Sequence, residues 1–165
     1  MTESAVASII VSIFLFLASL SAIMYGWGEA YLNGRRLASR SEASTLKNSV
    51  LTQLSELEKE SIKFWTFDST SSPSKDLCLI TTKSYIERIN SLRKLFEQLE
   101  AYGIAVNVTE EFKLLRKYIT LDMERAYSLG TDRKISKVSE IIYSAEEIRM
   151  KVSYSFIKTF QFAAP

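Results

Sequence analysis

From Ser4 to Gly28 the chain carries no charged side chain, and Glu3 is the only one before that run. A helix rises ~1.5 Å per residue, so about 20 apolar residues cover the ~30 Å hydrocarbon layer of a bilayer. Residues 5–28 are long enough to cross it with some tilt. The sequence therefore predicts one transmembrane helix at 5–28, with a short extracytoplasmic N-terminus at 1–4 and the rest of the chain on the other side. A cleaved secretory signal is the competing reading. Such signals open with Lys or Arg, hold a shorter apolar core and close on a small-x-small site. Here the first basic residue is Arg35, and the best cleavage candidate, Ser19-Leu20-Ser21, lies inside the apolar run. A retained anchor is the expectation.

Charge sets the expected orientation. Arg35, Arg36, Arg40 and Lys47 follow the run, and positive residues near a span stay on the cytoplasmic side. This predicts an N-terminus outside and a cytoplasmic C-terminal domain. A single cysteine, Cys78, forms no disulfide within the chain, which agrees with a reducing compartment. Asn107-Val108-Thr109 matches a glycosylation acceptor pattern, an accidental match if the domain is cytoplasmic. Tyr25, Trp27 and Tyr31 stand where amphipathic rings prefer the headgroup level and are read as interface anchors. Arg35, Arg36 and Arg40 join them, first as topology signals and second as contacts to anionic headgroups.

The span has a patterned surface. Ala18, Ala22 and Gly26 form a small-xxx-small repeat, with Ser8 and Ser12 at the same spacing earlier on a nearby face. Small residues at this interval let two helix backbones approach closely in lipid. Ser8, Ser12, Ser19 and Ser21 either hydrogen-bond across helices, at ~0.6–2 kcal/mol each, or bond back to their own helix. The expectation is helix–helix contact through Ser8, Ser12, Ala18, Ser19, Ala22 and Gly26, with a second copy or a membrane-protein partner. The span holds no Asp, Glu, Lys, Arg or His to relay a proton or coordinate an ion.

Beyond the membrane the chain reads as helix throughout. Five glycines and two prolines in 165 residues leave few turns for a sheet. Ala43, Leu46, Val50, Leu54, Leu57, Ser61 and Phe64 recur at steps of three and four, one apolar face of a helix. The same phase runs back through the polar connector 29–42 into the span, so one continuous helix is expected, solvated around Gly34. Ser69 to Ser74 supply the longest loop. A second helix is expected from about Asp76 to Tyr102, with Leu79, Ile86, Ile89, Leu92, Phe96 and Leu99 inward and Gly103 as its stop. Asn107 with Glu110 has the capping-box pattern for a third helix, buried along Phe112, Leu115, Ile119, Ala126 and Leu129 and closed by Gly130. A fourth starts near Thr131, with Ile135, Val138, Ile142, Ala145, Val152 and Phe156 inward. Four such stripes joined by short loops predict an all-α domain at 43–165, an antiparallel four-helix bundle. Phe156, Ile157, Phe160 and Phe162 exceed what one helical face buries, and are read as core capping or as a docking patch for a partner.

A search for chemistry yields nothing. The chain has no histidine, the commonest acid/base residue and metal ligand. One cysteine without histidine makes neither a zinc site nor a Cys–His nucleophile. The glycines build no phosphate loop, and the clustered glutamates lack the Glu-x-x-His partners of a di-metal bundle. Glu56 with Lys59 and Glu60 with Lys63 read as ion pairs on a solvated helix face, and Cys78 as a small hydrophobe. The net charge of +2, with acids between the basic clusters, does not make the stripe that nucleic acid requires. No catalytic residue, cofactor, metal or small-molecule substrate is expected. The expected role is a non-enzymatic, membrane-anchored interaction or assembly module. A second expectation is an oligomer that opens a membrane pathway through the packed face of its spans, gated by the bundle.

Overall fold

The computed structural model describes residues 3–66, 75–126 and 128–161, with side chains for 11–66, 76–126 and 128–160. The described residues form helices and no strand: α1 (Glu3–Trp65), α2 (Lys75–Ala101), α3 (Thr109–Thr120), a 3-10 turn (Met123–Arg125) and α4 (Thr131–Gln161). The expected Ser69–Ser74 loop lies outside the described residues. The chain divides into two compact units, Met1–Glu42 and Ala43–Pro165.

In the first unit α1 is one helix through the polar connector, as the shared phase of its residues predicts. It is the described helix long and apolar enough to cross a bilayer. Its large apolar side chains from Val11 to Leu37 are exposed among the described residues, Phe14 by 75% and Met24 by 73%.

The second unit is organised by a core that begins at Ala43. From α1 it takes Val50, Leu54, Leu57 and Trp65, all fully buried, with Leu46 and Phe64 packed against them. α2 adds Tyr85, Ile89, Leu92, Phe96 and Leu99; α3 adds Leu115 and Ile119; α4 adds Ile141, Ala145, Ile148 and Val152. Each fully buried Leu, Ile or Val stabilises the unit by about 1.5–3 kcal/mol relative to its exposure. Polar contacts give the order in which helices meet. Along α1, Lys47, Glu58 and Trp65 meet Phe156, Arg149 and Lys137 of α4. Glu60 and Phe64 meet Arg88 and Tyr85 of α2. Phe96 meets Phe112, and Glu111 and Asp122 meet Lys151 and Lys137.

The end of α2 follows from its glycine. Gly103 takes φ +78, its N–H donates to the Glu100 carbonyl at 2.8 Å, and Ile104 N–H reaches back to Leu99 at 3.1 Å. This double closure is the Schellman pattern, and both Leu99 and Ile104 are buried. Ile104, Val106 and Val108 then alternate inward with exposed neighbours, the period of extended backbone.

Four local expectations are corrected. The N-cap of α3 is Val108 and has no side-chain cap; the Asn107 carbonyl instead accepts from Lys151 Nζ at 3.3 Å. α3 stops at Thr120, because Leu121 is extended and Asp122 is left-handed at φ 66. Lys137 holds that end, its ammonium on the Leu121 carbonyl at 2.6 Å and on Asp122 at 3.2 Å, a cation at a helix C-terminus. Ile135 and Ile142, read as inward, are exposed, and Ile141, Ser144 and Ile148 are buried in their place. On α2 likewise, Leu79 is exposed whereas Cys78 and Tyr85 are buried.

Candidate functional site

Two surfaces carry the residues singled out from the sequence, and a cleft adds a third. On the apolar segment, Ala18, Ala22 and Gly26 lie at four-residue steps along α1, all exposed. A Cβ on Gly26 would meet nothing within 4 Å, so the notch is open. Ser19 Oγ donates to the Leu15 carbonyl at 2.6 Å, and Ser21 Oγ to Leu17 at 2.8 Å. Those hydroxyls are satisfied by their own helix. Ser12 is exposed, and the Ser8 side chain lies outside the described residues. Tyr25, Trp27 and Tyr31 are exposed, and so are Arg35, Arg36 and Arg40. A band of aromatic rings thus gives way to guanidinium groups within about ten residues, at the polar end of the segment.

At the end of α4, Phe156 and Phe160 are half-buried against the core with ring centroids 4.9 Å apart. The Lys47 ammonium lies 4.6 Å above the Phe156 ring. Both rings are thus engaged within the chain, whereas Ile157 faces outward. Phe162 lies outside the described residues.

The third surface is a cleft of about 420 Å³ between α2 and α3, with Phe96 and Phe112 in its floor. Arg93, Lys113 and Arg116 line its rim together with Glu97 and Glu100. Arg93 pairs with Glu97 at 3.4 Å and Lys113 with Glu110 at 2.6 Å, so the rim charges largely answer one another. The groups with displaced pKa values stand elsewhere. Burial and then Glu124 push the Cys78 thiol up, which favours the unreactive protonated form. The hydrogen bond from Lys151, at 2.7 Å, draws Glu111 below the usual carboxylate range. Arg149 is held cationic by hydrogen bonds to Glu58 and Glu146 that outweigh its burial. Glu60 pairs with Arg88 of α2 at 3.0 Å. Glu111 with Lys151, Glu58 with Arg149 and Glu60 with Arg88 thus tie helices together.

One surface was not legible from the sequence. The outward side of α4 carries Ile135, Ile142, Tyr143, Met150, Tyr154 and Ile157, each between 44 and 68% exposed. Its signal was present as a second apolar phase in the same helix, masked by the first. Compared with known protein families, with characterised proteins and with solved structures, the chain matches none.

Proposed function

We propose that the chain is a membrane-anchored helical assembly module without catalysis of its own. In this reading residues 5–28 stay in the bilayer with the N-terminus outside, and residues 43–165 form a cytoplasmic antiparallel four-helix bundle that joins a membrane-associated complex. The observation that carries the reading is the contrast between the two units. Large apolar side chains described from Val11 to Leu37 are exposed, while those of the core from Ala43 onward are buried. Exposed apolar surface on this scale needs lipid or protein against it. The aromatic and arginine band of residues 25–40 supports lipid, with the arginines on the cytoplasmic side. The contacts of α1 with α2 and α4, of α2 with α3 and of α3 with α4 support the bundle. For α1 with α4, for α1 with α2, and for the stretch from α3 to Asp122 with α4, the residue number rises along one as it falls along the other.

The test is retention and mass. The full chain, expressed in cells with its first residues intact, is expected to stay in membranes through an alkaline carbonate wash. Extracted in mild detergent, it is expected to sediment in a complex larger than one chain. Release by carbonate, a mature product lacking residues 1–28, or a lone chain in the micelle would overturn the reading.

A further inference from the structure

α4 is apolar on two opposite sides. One side buries Ile141, Ala145, Ile148 and Val152 in the core. The other presents Ile135, Ile142, Met150 and Ile157 to solvent, with Tyr143 and Tyr154 along one flank. The outward residues keep a regular order. Ile135, Ser139, Ile142, Glu146, Met150, Ser153 and Ile157 follow at steps of four, three, four, four, three and four. Two successive eleven-residue repeats average close to the 3.6-residue turn, so the stripe runs nearly straight for ~33 Å.

We propose that this outward face of α4 is a two-fold interface with a second copy of the same chain. An isologous contact uses one patch twice and so must complement itself. The stripe reads as large, small, large, Glu146, large, small, large from either end. The four large side chains of the stripe and the two flanking tyrosines together expose on the order of 700 Å², against ~800 Å² per partner in a standard interface. Of the polar members, Glu146 would face its own copy at the centre of the stripe, a like-charge contact that its Arg149 partner must offset. Ser139 Oγ already donates to the Ile135 carbonyl at 3.1 Å, and Glu146 is paired with Arg149 at 3.0 Å. A lipid surface fits less well, since an interfacial helix borders its apolar face with Lys and Arg. Here Glu140, Glu146 and Glu147 lie within or beside the stripe.

This deepens the assembly reading and rests on it for its biological sense, but its test is separate. In the full chain in its membrane, with the buried Cys78 replaced by Ala, single cysteines are introduced and oxidised. Glu146→Cys, at the stripe's centre, is expected to give a dimer band whether the two helices run parallel or antiparallel. Ser139→Cys linking to itself marks the parallel arrangement. Linking only when combined with Ser153→Cys marks the antiparallel one. Lys83→Cys, exposed on α2, is expected to stay unlinked. In detergent, Ile142→Glu with Met150→Glu is expected to weaken the dimer at least tenfold with helicity unchanged, since both side chains are exposed. No link at 146, or equal linking at 83, overturns the proposal. A chain held in a complex with other proteins yet unlinked at 146 would preserve the assembly reading and refute the self-pairing.

Discussion

Arg149 joins two helices of the second unit through its guanidinium. It pairs with Glu58 of α1 and with Glu146 one turn back on α4, and its own side chain is 25% exposed against 12% for Glu58. Removing one partner of such a pair leaves the other charged and poorly solvated. Arg149→Met alone is therefore expected to destabilise the chain by about 2–4 kcal/mol. The double variant Glu58→Leu with Arg149→Met is expected to recover most of that loss, read as the thermal midpoint by circular dichroism. Tyr85 gives the pH counterpart. Its hydroxyl donates to the Glu60 carbonyl at 3.0 Å, and burial followed by the Glu60 carboxylate pushes the phenol up to about 12. The folded chain holds this proton more tightly than the unfolded chain does. The stabilisation is thus complete below the unfolded value near ~10 and disappears as the pH rises from there through about 12. The loss is on the order of 2–3 kcal/mol, and Tyr85→Phe is expected to lack that part of the alkaline decline.

At the scale of elements, Gly103 is the residue whose conformation ends α2. Its φ of +78 strains any side chain even though the space around it is open. Gly103→Ala is expected to cost about 1–2 kcal/mol, measured as a lower denaturation midpoint with an unchanged slope. This stop was readable in advance because a lone glycine followed a long apolar phase. The inward seam of α1 was readable as well, since Ala43, Val50, Leu54 and Leu57 are flanked by polar residues on the far side. α4 was not. With isoleucines at 135, 141, 142, 148 and 157, periodicity offers two seams and cannot say which meets the core. Partners in space decide, and Glu58, Lys47 and Trp65 of α1 turn the other side inward. The length of α3 failed for a related reason. Ala126 is buried and Leu129 half-buried, as a continuing stripe predicts, but they reach the core past a left-handed Asp122 that no apolar pattern records. Of the candidate site, the long apolar helix with its aromatic and basic residues could be read directly, because these depend on composition along the chain. The outward stripe could not, because exposure is a property of the assembled unit.

For the whole molecule, the division at Glu42 and Ala43 makes a separable expectation. Expressed alone, residues 43–165 are expected to be soluble, helical and cooperative in melting, while the full chain requires detergent or lipid. A fragment that aggregates or melts without a transition would mean that the core needs the apolar segment after all. The two tryptophans, Trp27 and Trp65, fall one in each unit. Trp27 is 77% exposed, whereas Trp65 is fully buried, with the Lys137 ammonium 4.9 Å from its ring. Its indole N–H meets no acceptor among the described residues. The molecule thus carries two native fluorophores in opposite surroundings. Trp27→Phe would leave a lone emitter whose colour reports the interior, and Trp65→Phe one that reports whatever surrounds the exposed apolar helix.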